Sequence, residues 1–206
     1  MPDTHGIGAP LPSSPATALP QPAAPAGIRP ALYASAISAL QRHSGRMIRD
    51  RVAIVDFAAP SSEPRFHIVD IASGNARSFL VAHGSGSDPD HSGWLERFSN
   101  QPGSNASSEG AFLTGDYYYG KHGRSQKLYG LDQSNSNALM RAIVVHGAWY
   151  AEAGVLSAHG KLGRSQGCFA FGDSQINNVF GQLGTGRMIY AAKLQSPVGP
   201  IIPPPG

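Results

Sequence analysis

The sequence predicts a mostly β domain, sandwich-like or barrel-like, with short helices on its flanks. Three observations predict it. Charged residues make up only 14% of the 206, while Gly (25) and Pro (17) are abundant, a balance that fits a loop-rich β domain better than a helical one. Short apolar, β-branched and aromatic runs recur between turn signals. Helical periodicity is confined to two stretches.

The elements can be justified in chain order. Thirteen of the seventeen prolines lie near the ends, eight from Pro2 to Pro30 and five from Pro197 to Pro205. Residues 1–27 and 196–206 therefore read as Pro-rich tails, with too little bulky apolar content to offset ordering entropy, around one domain at 28–195. Pro30 suits a first helical turn, Leu32, Tyr33, Ala36, Ile37 and Leu40 repeat at helical spacing, and Gly45 is placed to end that helix. Strands are expected at 52–57, 66–71 and 78–82, parted by Pro60 and Pro64 and by Ser73-Gly74-Asn75, as an antiparallel meander. Residues 83–110 are polar and too long for a passive connection, so they read as a functional surface loop. Strands at 111–119 and 127–131 flank a turn at 120–123, and an apolar run at 142–145 leads into His146-Gly147. A helix with Ile176, Val179, Phe180 and Leu183 on one face follows Cys168, capped by Asp173 or Ser174 and stopped by Gly184. A strand at 187–192 closes the domain.

Charge and composition exclude several classes of function. A net charge of +3 and a pI near 9.2 suit an anionic polymer, but no dense Lys/Arg run marks a nucleic-acid surface. No stretch reaches the ~18 apolar residues of a membrane span. Five of the eight histidines precede Gly (His5, His83, His122, His146 and His159), yet their spacings match no metal-site pattern, so no metal and no cofactor are expected.

Chemistry concentrates at the single cysteine. In Arg164-Ser165-Gln166-Gly167-Cys168-Phe169 a thiol follows a glycine whose backbone can approach a substrate closely. A thiol attacks as its anion and needs a base, and His146, at the end of an apolar strand 22 residues earlier, can reach it through strand pairing. The N–H groups of Gly167 and Cys168 are candidate donors to a tetrahedral oxyanion. Tyr117, Tyr118, Tyr119 and Tyr129 alternate along the expected hairpin and read chiefly as packing residues.

At these residues the chain resembles the L,D-transpeptidases with the YkuD-type catalytic domain, in the branch of the murein L,D-transpeptidase catalytic domain family. His146-Gly147 followed by Ser165-x-Gly167-Cys168 carries the likeness. It extends through Phe79-Leu80-Val81-Ala82-His83-Gly84, Phe98-Ser99-Asn100, Tyr119-Gly120-Lys121-His122-Gly123 and Arg141-Ala142-Ile143-Val144-Val145. The resemblance implies the L,D-transpeptidase fold, Cys168 as nucleophile and His146 as base. It places the oxyanion and substrate-shaping turn at Ser165, Gln166 and Gly167, beside Gly147. His83, His122, Tyr119 and Arg164 are the remaining candidates for substrate contact. The chain departs from the family at Gln166, where His or an aromatic residue is common, and at Phe169-Ala170, where an Arg usually follows the Cys.

The implied reaction is acyl transfer on peptidoglycan, with stem peptides as donor and acceptor. Cys168 attacks the carbonyl of the third stem residue, expels the terminal D-amino acid and passes the acyl group to a neighbouring amine. The resemblance also implies a monomer in the periplasm or cell envelope, numbered from after a removed export signal, and acylation by carbapenems. Water as acceptor would make it an L,D-carboxypeptidase. The rivals are a wall-binding module without catalysis and a sortase-like transpeptidase using Arg187.

Overall fold

Pro30 opens helix α1 (Pro30–Arg42), where its missing N–H costs the helix nothing, and Leu32, Tyr33, Ala36, Ile37 and Leu40 lie on its buried face. The computed structural model describes residues 23–194, so nearly all of the expected Pro-rich tails lies outside the described residues. Strands β1 (Arg51–Asp56), β2 (Phe66–Asp70) and β3 (Ala76–Phe79) form the expected antiparallel meander. Gly74, at φ 72°, makes the β2–β3 turn. β4 (Gly110–Gly120) and β5 (Gly123–Gly130) form a hairpin with Lys121-His122 at its tip. β6 (Val144–Gly147), β7 (Phe169–Phe171) and β8 (Met188–Ala192) complete one eight-stranded sheet in the order β3-β2-β1-β8-β4-β5-β6-β7.

The mostly β class is as expected, and the sheet is not closed into a barrel. Residue Ala82, past edge strand β3, touches edge strand β7 at a single bridge to Ala170. The sheet is mixed, because β1–β8 and β6–β7 run parallel. Helix α3 (Ile176–Leu183) lays Ile176, Val179, Phe180 and Leu183 into the main core with Val55, Phe66, Phe112, Val145, Phe169 and Phe171. Helix α1 packs on a second cluster with Val52, Ile54 and Met188. Each large side chain so buried contributes about 1.5–3 kcal/mol of transfer free energy.

Four expectations are corrected. Residues 80–82 lie outside β3, which ends at Phe79, and only Ala82 meets the sheet again, at its bridge to Ala170. Among the described residues there are three α-helices rather than two: α2 (Ala153–His159) has no fully buried residue, so it carries no apolar stripe to read, and Gly160 ends it in a left-handed conformation. Neither Asp173 nor Ser174 caps α3; the N-cap is Gln175, and the Ser174 hydroxyl instead donates to Glu152 Oε2 at 2.8 Å. The 83–110 segment is not simply a surface loop. Ser87, Asp88, Leu95, Ala106, Ser107 and Ser108 are buried, and its hydroxyls satisfy its own backbone, as where Ser107 N–H donates to Ser87 Oγ at 2.9 Å.

Candidate active site

Sheet alternation brings thiol and imidazole together. Val145 pairs with Phe169 and Gly147 with Phe171, and Val145, Phe169 and Phe171 all enter the main core. His146 and Cys168, each one residue out of step with those, therefore emerge on the opposite face. Both line an open cleft of about 360 Å³, together with Tyr118, Lys121 and His122 from the hairpin, Arg141, Tyr150, Arg164, Ser165 and Gln166. Among the described residues no carboxylate lines this cleft, and no cluster of three or more His, Cys, Asp or Glu is placed to hold a metal ion.

The loop that carries Cys168 is built around Ser165. Its hydroxyl donates to the Cys168 carbonyl at 2.7 Å and accepts from the Gly167 N–H at 3.1 Å, tying the turn into one unit. The Gly167 N–H, one of the two expected oxyanion donors, is thus engaged within its own loop. Gly167, at φ 110°, is required for close packing rather than for substrate approach: a Cβ there would lie 2.6 Å from the Ala106 carbonyl oxygen and 2.8 Å from Ile143 Cδ1. Cys168 is half-buried, and its thiol faces the Ala142 carbonyl at 3.6 Å.

Burial sets the resting protonation of both groups. Burial pushes the Cys168 thiol above its ordinary value, against the opposing pull of the Val144 N–H, Lys121 and Arg141. Burial pushes His146 down to about 4; the Gly147 carbonyl works against this, while His122 and Lys121 add to it. The resting cleft therefore holds a thiol and a neutral imidazole at His146, not a thiolate and an imidazolium. His146 Nδ1–H donates to the Gly147 carbonyl at 2.7 Å, which leaves Nε2 as the acceptor. Gly147 acts through that carbonyl and does not line the cleft. Burial pushes Tyr150 up to about 12, so its phenol keeps its proton.

The other candidates separate. His122, Arg164 and Gln166 line the cleft, whereas Tyr119 is 83% exposed and outside it. Tyr118 takes the cleft position instead, because Tyr117 is turned to Phe180 of α3 and adjacent strand residues face opposite ways. His83 is buried and reaches no substrate surface. Its Nδ1 accepts from Arg65 Nη2 at 2.6 Å, so its Nε2–H donates to Asp88 Oδ2 at 3.2 Å. Burial first, then the Arg65 charge, pushes His83 down to about 4. Its carbonyl accepts from the Ser165 N–H at 2.9 Å, so this buried Arg65–His83–Asp88 chain braces the nucleophile loop from below.

Sequence reading missed Arg65, Asp88, Arg141, Tyr118, Lys121 and Tyr150. Arg141 donates to the Ser99 carbonyl at 2.7 Å and the Ala106 carbonyl at 2.6 Å, pinning the long loop beneath Gly167. Its place at the head of the family-like run at 141–145 was the available signal. Arg187 bonds Asp50 Oδ1 at 2.7 Å and Oδ2 at 2.8 Å and does not line the cleft, which removes the sortase-like reading.

A single mixed sheet presents one thiol and two imidazoles in a shared cleft of a mostly β domain. The family profile described as L,D-transpeptidase catalytic domain matches residues 25–192, and the chain belongs to that family. Similar solved structures include an L,D-transpeptidase from Mycobacterium tuberculosis H37Rv, at 12% identity and TM-score 0.44, covering 70% of this chain and 58% of that one. The helical cell shape determining protein Pgp2 from Campylobacter jejuni matches at 10% identity and TM-score 0.45, covering 71% and 48%. An L,D-transpeptidase from Xylanimonas cellulosilytica DSM 15894 matches at 15% identity and TM-score 0.41, covering 76% and 68%. The chain spans less than two thirds of the first two. No curated protein matches it.

Proposed function

We propose that the chain is a peptidoglycan L,D-transpeptidase working through a thioester on Cys168. The observation that carries this is the placement of Cys168 and a neutral His146, its Nε2 unprotonated, on the walls of one cleft. In the first half-reaction the Cys168 sulfur attacks the carbonyl carbon of the third stem residue while its proton passes to His146 Nε2. The tetrahedral oxyanion is met by the Cys168 N–H, within the positive surroundings of Lys121, Arg141 and Arg164. Collapse breaks the C–N bond, and His146 returns the proton to the departing amine of the terminal D-amino acid. In the second half-reaction the acceptor amine attacks the thioester and gives its proton to His146. The C–S bond then breaks, and the proton returns to sulfur.

Lys121, Arg141 and Arg164 around a cleft without carboxylates suit an anionic donor such as a stem with a free terminal carboxylate. A cell-envelope or periplasmic location belongs to this proposal. Among the described residues no helix is long and apolar enough to cross a membrane.

Incubation with purified tetrapeptide stems, followed by mass analysis, tests the reading. Cross-linked dimers and released D-alanine are expected, both lost in Cys168→Ala. Released D-alanine without dimers would instead assign water as acceptor and an L,D-carboxypeptidase. No release with undiminished stem binding would leave a wall-binding module. A carbapenem should add one drug mass per chain, absent in Cys168→Ala, because its strained lactam carbonyl meets the same thiol.

A further inference from the structure

Two histidines on the cleft wall are stacked. His122, at the hairpin tip, lies over His146 of β6 with ring centroids 4.1 Å apart and planes 19° from parallel. Two imidazolium charges at that separation repel strongly in a partly dry site, so the stack accepts one proton and resists a second. The rings are not equivalent. His122 is exposed, whereas His146 is 1% exposed and already commits Nδ1–H to the Gly147 carbonyl at 2.7 Å. The first proton therefore goes to the outer ring, where water solvates the charge.

The rest of the cleft reinforces that order. The charged and titratable groups that line the cleft with the pair are Lys121 next to His122 in the chain, Tyr118 of β4, Arg141, Arg164, Tyr150 and the Cys168 thiol. Among the described residues no carboxylate is present there to favour an imidazolium on the inner ring.

We propose that His122 is a positioning residue that takes up the proton which would otherwise inactivate His146, so that the base stays neutral and competent in mildly acidic surroundings. The proposal rests on the acyl-transfer reading above. It agrees with the direction at the inner ring, where His122 and Lys121 add to the burial that lowers His146.

The test is a ¹H–¹³C NMR titration of the His146 ring in the full chain, as the parent, His122→Phe and His122→Arg. Alongside it, kcat/KM for tetrapeptide stems is measured against pH. Phenylalanine keeps a flat ring over His146 but carries no charge, so the His146 midpoint should rise by about one pH unit, the coupling expected of interacting sites. The acid limb of kcat/KM should rise with it. Arginine restores a permanent charge on a planar group that stacks, and should bring both back to the parent position. The proposal is overturned if the His122→Phe midpoint coincides with the parent's. It is equally overturned if His122→Arg titrates like His122→Phe, or if the acid limb stays put while the midpoint moves. A moving midpoint in a protein that turns over no stem would leave the coupled rings standing and defeat the acyl-transfer reading instead.

Discussion

Replacing Arg65 with Met probes the brace beneath the nucleophile loop. Arg65 has no exposed surface. Its guanidinium donates to the Val81 carbonyl at 3.2 and 2.9 Å, to the Ala59 carbonyl at 2.9 Å and to His83 Nδ1 at 2.6 Å. Methionine fills much of the volume but leaves two carbonyls and one ring nitrogen without a donor, and the Asp88 carboxylate without its neighbouring cation. Breaking a buried ionic network by removing one partner costs about 3–5 kcal/mol. For a domain of this size each kcal/mol lowers Tm by about 2–4 °C, which puts the expected fall near 10 °C. Circular dichroism melts at neutral pH measure it directly. Because the His83 carbonyl holds the Ser165 N–H, turnover should also fall at temperatures where the variant is still folded. A Tm within about 2 °C of the parent's would refute the argument, since it would mean that the orphaned groups find water at little cost.

Three further outcomes are expected. Gly167→Ala should lower stability by about 2 kcal/mol or more and cut turnover at least about tenfold, because φ 110° and contacts of 2.6 and 2.8 Å leave no room for a methyl group; an unchanged melt and rate would show that the loop relaxes freely. Stability should fall as pH drops from about 6.5 to about 4: His83 and His146 both titrate near 4 when folded, so in this window the unfolded chain binds more protons and ΔG of unfolding rises with pH. A flat Tm across it would contradict their burial as neutral rings. Iodoacetamide labelling of Cys168 should show its inflection above the ordinary thiol value of about 8.5, since burial raises this thiol. An inflection near 6 would restore the thiolate–imidazolium pair.

Much of the domain was legible in the sequence because its determinants are local. Pro30 and the 3–4 spacing of Leu32, Tyr33, Ala36 and Ile37 specify α1, and Gly74 at φ 72° specifies the β2–β3 turn. Cys168 and His146 were legible because one thiol next to Gly167 and one imidazole ending an apolar run are chemically conspicuous. α2 was not legible, since a helix with no fully buried residue and only Leu156 packed on a core cluster leaves no periodic trace. Tyr119 was taken for Tyr118 because which face a strand residue takes depends on pairing, here with a register shift between Thr114 and Tyr117.

By itself the sequence determined the β-rich class, the order of nearly all elements, the family likeness and the candidate reactive pair, because these follow from residue type and short-range spacing. The tertiary structure alone decided the protonation states and the supporting cast. Whether His146 rests neutral, whether His83 contacts substrate or bonds Arg65 and Asp88, and whether Arg187 reaches the thiol all depend on burial and on partners up to 137 positions away in the chain. Desolvation and charge–charge distance are properties of the packed chain, and residue order specifies neither until the sheet has assembled.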